Sequence, residues 1–295
     1  MVNVLISTYN GEKYIQEQIE SILAQTYQSF HIYIRDDGSS DDTWSKLQQY
    51  KDHDKITLVK GDNRGYGYSF LSLLKQAEAG DYWAYCDQDD VWYPEKLETA
   101  VNILKTLPQD QPNMYFHNFE LTNEQLEPTG IYQNKIKGYC FRRSITECLH
   151  MGFATVMNRK LRDFVLRGDI EKIPTHDWWT ELVVMAFGTV YTDDQVLAKH
   201  RRLDSSVSGM NMKNRLKWLK ATFQTRSDIL ALGHEFVCVY ADLMTDKKER
   251  NTMELFDCEK YSLVKGMKKC LYPKRWRGSI ASELVCRFLM LIGRM

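Results

Sequence analysis

Four short apolar runs, each followed by a polar cluster, constrain the fold of this sequence more than any other feature. The runs occupy residues 2–6, 30–35, 56–59 and 82–86 and are rich in residues that favour β-strands. Apolar residues at helical spacing follow each of the first three polar clusters. Three strand–loop–helix passes that lead to a fourth strand predict an α/β fold, with a mainly parallel sheet and helices on both faces.

The fourth run ends in three carboxylates, Asp87, Asp89 and Asp90, within four residues. Ligands of parallel sheets bind at the carboxyl ends of the strands, where this cluster and those at residues 7–11 and 36–43 fall. Neighbouring carboxylates repel one another, and a divalent cation or a cationic substrate would hold them together. The alternative is an ordinary acidic turn.

Charge divides the chain into two parts. The 295 residues are 43% apolar and 26% charged, which excludes wholesale disorder. Residues 1–210 hold 22 Lys and Arg against 30 Asp and Glu, whereas residues 211–295 hold 17 against 9. We therefore predict one domain over residues 1–210 and a basic extension over residues 211–295 that faces anionic lipid or another polyanion.

Cysteine usage and hydropathy bear on the compartment. The seven cysteines are scattered without a Cys-x-x-Cys pair, which is typical of reduced core residues in a cytoplasmic protein. The sequence starts with an apolar run rather than a charged leader, and no apolar stretch reaches the roughly 18 residues of a membrane span. We expect neither an export signal nor a spanning helix.

Four motifs in chain order resemble the family-2 inverting glycosyltransferases with the GT-A fold. They are VLISTYNG at residues 4–11, DDGSSD at 36–41, DQDDVW at 87–92 and HDW at 176–178. The resemblance covers residues 1–210. It implies that a sugar passes from a nucleoside diphosphate donor to an acceptor with inversion, with Mg²⁺ or Mn²⁺ as the cofactor.

The resemblance also implies a donor pocket. Its predicted nucleotide-lining residues are Thr8, Tyr9, Asn10 and Asp37. The Asp37 carboxylate would accept a hydrogen bond from the pyrimidine N3–H, and Asp36 would brace the loop. Arg64 suits a phosphate or a neighbouring Asp, and Gly65 would let the backbone approach closely. The alternatives are turn and cap residues and, for Arg64, a solvated side chain.

The pair Asp87-x-Asp89 matches the Asp-x-Asp motif of the family. Hard cations take carboxylate and phosphate oxygens, so we predict Asp89 as the direct metal ligand. Asp87 would contact the donor through the ribose or a water molecule. Asp90 would cap the helix that begins near Pro94.

The segment at residues 197–209 resembles one that ends the catalytic domain of many bacterial members, including rhamnosyltransferases. Ala198, Lys199 and Arg202 depart from that pattern. The resemblance implies that His200 is a further metal ligand or a diphosphate contact and that Arg201 contacts the diphosphate; a structural histidine is the alternative. The segment makes dTDP-rhamnose the first candidate donor and a UDP-hexose the second.

Inversion requires a base that takes the proton of the acceptor hydroxyl, and Asp177 matches the family position. A carboxylate at a helix start is stabilised as the anion. Trp178 and Trp179 beside it would stack on the sugar rings of the acceptor. The alternative for Asp177 is a plain helix cap.

Basic and apolar residues interleave twice in the extension. The first set is Lys213, Arg215, Lys217 and Lys220 with Leu216, Trp218, Leu219 and Phe223. The second is Lys268, Lys269, Lys274, Arg275 and Arg277 around Trp276. Such patterns predict helices that lie in a membrane interface, the alternative being a helical subdomain packed on the body or on a partner subunit. No nucleic-acid recognition module accompanies them, so nucleic acid is not an expected partner.

The sequence therefore predicts an inverting glycosyltransferase of bacterial surface polysaccharide synthesis, acting on a glycan or lipid-linked glycan at the cytoplasmic face of the membrane. A metal-dependent nucleotidyltransferase is one alternative, but it would place a basic glycine-rich loop after the first strand, and residues 7–11 hold no Lys or Arg. A non-catalytic nucleotide-sugar or glycan-binding protein is another, and it would need neither Asp89 nor Asp177.

Overall fold

The computed structural model describes residues 1–133, 139–202, 228–257 and 262–295. The chain forms two compact units. The first comprises Met1–Ile136, His150–Leu166 and Thr175–Asp204, and the second comprises Lys137–Leu149, Arg167–Pro174 and Ser205–Met295. The predicted boundary near residue 210 falls in 203–227, outside the described residues, and it stays a prediction. Two earlier segments nevertheless belong to the second unit, an interleaving that charge alone did not reveal.

A nine-stranded sheet forms the centre of the first unit. Its strands are β1 Val2–Thr8, β2 Phe30–Asp36, β3 Ile56–Lys60, β4 Tyr82–Cys86, β5 Val91–Trp92, β6 Asn113–Thr122, β7 Pro128–Tyr132, β8 Thr155–Asn158 and β9 Thr189–Arg201. The strand order is β3-β2-β1-β4-β8-β6-β9-β5, and β7 pairs with β6. The β3-β2-β1-β4 half is parallel, so the carboxyl ends of these four strands lie along one edge.

The other half of the sheet is mixed. Strand β8 runs antiparallel to both β4 and β6, whereas β9 runs parallel to β6 and antiparallel to β5. Residues 189–201 form the single strand β9, whose register against β6 shifts near Asn118. Such irregularities let one long strand stay paired with its neighbour.

The helices of the first unit are α1 Ile15–Leu23, α2 Thr43–Leu47, α3 Tyr66–Gln76, α4 Lys96–Leu104, α6 Arg159–Val165 and α7 His176–Phe187. The helical spacing in the sequence explains their packing, because α1 buries Ile15, Ile19 and Ile22 on one side. Two short 3₁₀ helices, Gln48–Tyr50 and Gly152–Ala154, complete the connections. This arrangement confirms the predicted α/β fold.

The second unit is helical where it is described. It contains α5 Phe141–Ser144, α8 Asp228–Tyr240, α9 Lys247–Glu254, α10 Leu263–Cys270 and α11 Ile280–Leu291, with a 3₁₀ turn at Ala241–Leu243. Side chains of Asp246, Ser262 and Ser279 accept backbone N–H groups at the starts of α9, α10 and α11. The helical C-terminal region that the sequence predicts is thus confirmed.

Two members of the predicted interfacial cluster turn out to be internal. Trp276 is fully buried, and its indole nitrogen donates to the Lys269 carbonyl at 2.9 Å. The Lys269 ammonium is also buried and donates to the Met295 carbonyl. These two residues hold the second unit together rather than meeting a membrane. The other predicted set, Lys213 to Phe223, lies outside the described residues.

The described residues bear on two predictions, the absence of a membrane-spanning helix and the reduced state of the cysteines. None of the helices described is both long enough and apolar enough to cross a bilayer. The six cysteines within the described ranges, those at positions 86, 140, 148, 238, 270 and 286, are free thiols. Cys258 lies outside these ranges.

Candidate functional site

Four loops at the carboxyl edge of the parallel half-sheet gather the predicted donor residues. They follow β1, β2, β3 and β4, which are neighbours in the order β3-β2-β1-β4. The strand order therefore brings together residues that are 80 positions apart in the chain, as the contact of Thr8 with Gln88 shows. This is the edge at which parallel α/β sheets bind ligands.

The loop after β2 is stabilised by its own carboxylates. Asp36 is buried, and its Oδ1 accepts from the backbone and hydroxyl of Ser39, so its predicted bracing role is confirmed. Asp37 is also buried and accepts from the Arg35 guanidinium at 3.0 Å and from the backbone amides of Arg64 and Gly65 at 2.8–3.1 Å. Asp37 thus ties the loop after β3 to the loop after β2.

The residues of the β3 loop differ in their roles. Gly65 has φ +83°, a conformation that favours glycine, and nothing lies within 4 Å of the place where its Cβ would be. The backbone angle favours glycine there, and because the space beside Gly65 is open, the expected close approach of the nucleotide stays a prediction. The exposed Arg64 guanidinium lies over the Tyr68 ring, 4.4 Å from its centroid.

The loop after β1 is joined to the β4 loop by Gln88, a residue that the sequence reasoning missed. Its Oε1 accepts from the Thr8 hydroxyl at 2.6 Å and from the Tyr9 amide at 2.9 Å, and its Nε2 donates to the Tyr9 carbonyl. Thr8 is buried, whereas Tyr9 is 46% exposed. Of the two, Tyr9 offers the larger surface to a ligand. The position of Gln88 between two acidic residues of the motif was the only sequence signal for it.

Asn10 connects the β1 loop with the β2 loop. Its side-chain Oδ1 accepts from the Ser40 backbone amide at 2.9 Å, and its backbone amide donates to the Ser39 hydroxyl. Its φ is +50°, and asparagine tolerates this left-handed region better than most residues. Asn10 is a turn residue in this structure, and its predicted place in the nucleotide lining stays a prediction.

The carboxylates after β4 have few donors. No side chain in the described ranges donates to the carboxylate of Asp87 or Asp89, both of which are partly exposed. Burial, followed by the charge of Asp90, raises the pKa of Asp89 to about 6. Burial and the charges of Asp90 and Asp89 raise the pKa of Asp87 well above its usual range, and Asp177 adds to this effect.

Asp90 does not cap the helix near Pro94, so that prediction is wrong. Its Oδ1 accepts from Nδ1 of His200 at 2.9 Å and from the Arg201 amide at 3.3 Å, and α4 starts after Glu95 without a side-chain cap. The His200 ring stacks on Phe153, with centroids 4.6 Å apart. Burial lowers the pKa of His200, but Asp90 and its neighbours raise it by more, and the net shift is upward.

Arg201 is engaged within the protein, which corrects its predicted role as a diphosphate contact. Its guanidinium is buried and donates to the carbonyls of Asp89 and Glu124 and to the Glu17 carboxylate at 2.5–2.9 Å. It also lies over the Tyr14 ring, 4.4 Å from the centroid. Because it holds the Asp89 backbone, Arg201 positions the acidic loop rather than the donor.

A buried lysine below the acidic loop is a second residue that the sequence reasoning missed. The ammonium of Lys96 donates to the Phe153 carbonyl at 2.5 Å and lies 3.3 Å from the centroid of the Trp92 ring. Burial lowers its pKa to about 7, although the charges of Cys86, Asp90 and Asp87 oppose the shift. Lys96 therefore supports the backbone of Phe153, on whose ring His200 stacks.

The acidic loop fits a hard divalent cation. Oδ2 of the fully buried Asp90 has no hydrogen-bond partner among the described residues, and burial followed by the Asp90 charge raises the pKa of Asp87 and of Asp89. Within the described ranges, no three His, Cys, Asp or Glu side chains form a complete metal site. Mg²⁺ and Mn²⁺ at phosphates need only one or two protein carboxylates, since phosphate oxygens and water supply the rest. Asp89 and Asp87 are therefore the residues that fit the cation.

Asp177 stands in the first turn of α7, where the helix dipole favours an anion. Its Oδ1 accepts from the Trp178 amide at 2.8 Å, and the N-cap position belongs to Thr175. A Cβ on Gly152 would lie 3.3 Å from the Asp177 Cβ and 2.9 Å from Nε2 of His176. The glycine thus leaves room for this helix start. The Trp178 side chain is partly exposed beside it.

The other two residues around Asp177 are core residues. Trp179 is fully buried, and its indole nitrogen donates to the Val165 carbonyl at 3.0 Å, so the prediction of an acceptor contact there is wrong. His176 is buried against Phe70, with ring centroids 4.0 Å apart, and neither ring nitrogen has a partner among the described residues. Burial lowers the pKa of His176 to about 4, which keeps it neutral near pH 7.

Comparisons of sequence agree with this geometry. The model described as glycosyl transferase family 2 matches residues 3–167. An uncharacterized glycosyltransferase of Rickettsia typhi is 28% identical over 217 residues, which is 70% of this chain and 66% of the relative. The chain thus spans just under two thirds of that relative. The glucosyltransferase WfgD of Escherichia coli, named as UDP-Glc:alpha-D-GlcNAc-diphosphoundecaprenol beta-1,3-glucosyltransferase, is 25% identical over 78% of this chain and 87% of its own length.

Solved structures share the fold. TarS of S. aureus, residues 1–349 in complex with UDP-GlcNAc, aligns with a TM-score of 0.61 over 98% of this chain and 81% of its own, at 16% identity. The mannosyltransferase PcManGT of Pyrobaculum calidifontis, in complex with GDP-Man and Mn²⁺, aligns with a TM-score of 0.52 over 99% and 85%, at 15% identity. At such identities the likeness concerns the fold.

Proposed function

The chain belongs to glycosyl transferase family 2, and from that premise we propose that it transfers a sugar from a nucleoside diphosphate donor to a glycan acceptor with inversion. The observation that carries the proposal is the cluster of Asp87, Asp89 and Asp177 at the carboxyl edge of the sheet. Asp87 and Asp89 lack side-chain donors within the described ranges, and burial together with the charges of Asp90 and Asp89 raises the pKa of Asp87. A bound cation and diphosphate would relieve that repulsion.

The loops after β1, β2 and β3 suit the nucleoside of the donor. Tyr9 is exposed there, and the Arg64 guanidinium lies at the surface of the same edge. Asp37 would accept the base N3–H in addition to the amides that it already binds. We propose a UDP-hexose as the preferred donor, because the WfgD relative is named for UDP-Glc. The segment around His200 keeps dTDP-rhamnose as the next candidate.

The diphosphate would lie at the acidic loop. Asp89 would hold Mg²⁺ or Mn²⁺ directly and Asp87 would contact the ribose or the metal-bound water, while His200, bound to Asp90, would lie at the edge of the same site. When bound, the metal would stabilise the charge that develops on the leaving diphosphate. Arg201, through its bond to the Asp89 carbonyl, would keep the loop in place for this role.

Asp177 would supply the base. In an inverting transfer the acceptor hydroxyl attacks the sugar C1 from the side opposite the diphosphate, and its proton must go to a nearby group. Asp177 lies near the end of β4, because the place of a Gly152 Cβ is 3.3 Å from the Asp177 Cβ and 3.6 Å from the Tyr85 Cβ. The neutral, enclosed His176 is a poor substitute. Trp178 would offer its partly exposed ring to the acceptor sugar.

The acceptor and its location follow from the relatives rather than from the site. Two Escherichia coli relatives, WfaP and WfgD, are named for a GlcNAc-diphosphoundecaprenol acceptor. We propose a lipid-linked glycan of bacterial polysaccharide synthesis as the acceptor class. We also propose that the protein contacts the cytoplasmic face of the membrane peripherally through the region 211–295.

A donor screen tests the proposed function. The purified protein would be heated with a panel of nucleoside diphosphate sugars, each with Mn²⁺, Mg²⁺ or a chelator, and its melting temperature followed. We expect a shift with UDP-hexoses that requires the metal, because a ligand that binds only the folded state stabilises it. The matching sugar should then reach a GlcNAc-diphospholipid acceptor as a β-linked product. A panel without any metal-dependent shift would contradict the proposal.

A further inference from the structure

A thiol, an imidazole and a carboxylate meet in the second unit. Cys238 and His234 lie one turn apart on α8, with Sγ of the cysteine 3.8 Å from Nε2 of the imidazole. The other ring nitrogen of His234, Nδ1, lies 2.7 Å from Oδ1 of Asp257. A nucleophile, a base within reach of it and a third group that orients the base are the parts of an activated nucleophile.

The packing of α8 explains why Asp257 reaches His234. Gly233 precedes His234, and a Cβ at Gly233 would lie 2.7 Å from the Cβ and 2.9 Å from the carbonyl oxygen of Phe256. Glycine therefore lets the helix touch the backbone of the residue just before Asp257. Phe256 is fully buried, and its ring packs edge-to-face on Trp276 with centroids 5.2 Å apart. The contact of His234 with Asp257 thus rests on a packed core.

The carboxylate of Asp257 determines which nitrogen of His234 is basic. An ionised carboxylate only accepts hydrogen bonds, so it holds the ring proton on Nδ1 and leaves the lone pair on Nε2, the nitrogen that faces Cys238. The Lys265 ammonium donates to the Asp257 carbonyl and keeps that residue in place. The imidazole can therefore take the thiol proton, and the carboxylate stabilises the imidazolium that results.

Cys238 is exposed to solvent, which sets it apart from the other cysteines. The other five in the described ranges are buried or partly buried, namely Cys86, Cys140, Cys148, Cys270 and Cys286. Burial raises the pKa of the Cys86 and Cys286 thiols, which keeps them protonated and inert. An exposed thiol beside a base is the combination that reacts with small electrophiles and disulfides.

The other charges around Cys238 do not supply this activation. Cys238 lies two residues before the end of α8, where the carbonyl end of the helix disfavours an anion. Lys172 favours an anion, and the charge of Cys238 contributes to its raised pKa after Asp169 and Glu235. The Lys172 ammonium is, however, already paired with Asp169 at 3.3 Å. Reactivity above that of an unfolded thiol must therefore come from His234.

We propose that Cys238, activated by His234 and Asp257, is a site of reversible modification by small-molecule disulfides. Nε2 of His234 takes the thiol proton, and Sγ attacks one sulfur of the disulfide. The S–S bond of the disulfide breaks, a mixed disulfide with Cys238 forms, and the other half leaves as a thiolate that regains the proton from the imidazolium. The incoming disulfide is the oxidant, and a small thiol reverses the step. This site goes beyond the proposed function and needs neither donor nor acceptor.

Labelling rates in the folded and the unfolded chain test the activation. The reduced full chain would react with iodoacetamide at pH 7, with and without unfolding concentrations of urea, and peptide mass spectrometry would follow each cysteine separately. Exposure alone cannot make a folded thiol faster than an unfolded one, whereas a neighbouring base can. We expect Cys238 to react at least tenfold faster in the folded protein than in urea, and the buried Cys86 at least tenfold more slowly.

Substitution of the two partners separates activation from exposure. His234→Gln should lower the labelling rate of Cys238 at least tenfold, because the thiol loses its base, and Asp257→Asn at least threefold, because the base loses its orientation. His53→Gln is the matched control and should leave the rate unchanged, since His53 also pairs with an aspartate, Asp54 at 3.3 Å, but in the first unit. In urea all variants should react alike, and melting curves would confirm that each one folds.

Oxidised glutathione tests the exchange reaction itself. At millimolar concentration it should form a mixed disulfide with Cys238 at least tenfold faster than with the partly buried Cys140 or Cys270, and dithiothreitol should remove it. Three results would overturn the proposal. One is a Cys238 thiol that reacts no faster in the folded protein than in urea. Another is a His234→Gln variant that matches the parent, and the third is a mixed disulfide that forms mainly at another cysteine, Cys258 included.

Discussion

The loops after β2 and β4 are both rich in aspartate, yet the structure treats their carboxylates in opposite ways. After β2, Asp36 and Asp37 are buried and accept hydrogen bonds from neighbouring amides, hydroxyls and the Arg35 guanidinium. After β4, Asp87 and Asp89 receive no side-chain donors from the described residues, and burial followed by the charge of Asp90 raises the pKa of both. Both carboxylates of the first loop have donors within the protein, although Oδ2 of Asp36 has none among the described residues, whereas the carboxylates of Asp87 and Asp89 have no side-chain donor there.

The comparison distinguishes aspartates that stabilise the fold from aspartates that are available to a ligand. A carboxylate that accepts several amide hydrogen bonds stabilises the fold, and its removal exposes unsatisfied donors. A carboxylate held beside other carboxylates destabilises the fold until a cation arrives. Sequence composition cannot distinguish the two cases, because both loops read as aspartate-rich turns. The variants below test the distinction, from the largest expected effect to the smallest.

Asp89→Ala should abolish metal-dependent transfer, lowering kcat by about 10⁴-fold, since several kcal/mol of leaving-group stabilisation would be lost. The melting temperature of the metal-free variant should equal or exceed that of the parent protein, because a repelled charge is gone. Asp41→Ala is the control: Asp41 accepts from Thr43 and from the Glu12 amide, so its loss should lower the melting temperature without changing the metal requirement. Metal-stimulated turnover by Asp89→Ala would refute the assignment.

Asp177→Asn should bind the donor normally and lower kcat for transfer by about 10³-fold, since an amide cannot take the acceptor proton. Steady-state transfer and donor titration, measured side by side, separate these two effects. The fold should survive, because the amide oxygen can still accept from the Trp178 amide. Transfer at the parent rate would remove Asp177 as the base.

Asp37→Asn should act mainly on stability, in contrast with Asp89. The new amide nitrogen is itself a donor and would lie against N–H groups that now donate to the Asp37 carboxylate. Because those groups would lose their acceptor, the free energy of unfolding should fall by about 1–3 kcal/mol in urea titrations. The KM for the donor should rise because the β3 loop loses its anchor, while kcat should change little. An unchanged unfolding curve would erase the contrast between the two loops.

His176 extends the comparison to a buried base whose ring nitrogens have no hydrogen-bond partners among the described residues. Its pKa is lowered to about 4, below its ordinary 6.5, so the unfolded chain takes up a proton between these values while the folded chain does not. The stability that His176 contributes is fully present above pH 6.5 and is lost as the pH falls toward 4. The free energy of unfolding should therefore depend on pH in this range, by up to about 1.4 kcal/mol per pH unit, and His176→Phe should remove this dependence. Identical pH profiles of unfolding would show that His176 does not titrate in this way.

The sequence allowed much of the fold to be predicted because its signals are local. The apolar runs correspond to β1 to β4, and the helical spacing of Ile15, Ile19 and Ile22 corresponds to α1. The single strand β9 was not predictable, since its continuity depends on register shifts against β6 rather than on its own residues. The interleaving of the two units likewise arises from contacts between distant segments.

The site was harder to predict than the fold, because residue type does not reveal which partner a side chain finds. Arg201 and Trp179 were expected to meet the donor and the acceptor, but both are buried with internal partners. Conversely, no role was predicted for Gln88 or Lys96, yet Gln88 joins the β1 and β4 loops and Lys96 supports Phe153 beneath His200. Only the strand order brings these residues together.

We propose above all that the Asp87–Asp89 loop binds a cation together with the diphosphate of the donor. Calorimetric titration of UDP or dTDP into the protein, with Mn²⁺ and with chelator, measures this binding directly. We expect at least a tenfold gain in affinity from Mn²⁺ in the parent protein and in Asp41→Ala, and none in Asp89→Ala. Nucleotide binding that is indifferent to Mn²⁺, or a gain that survives in Asp89→Ala, would contradict it.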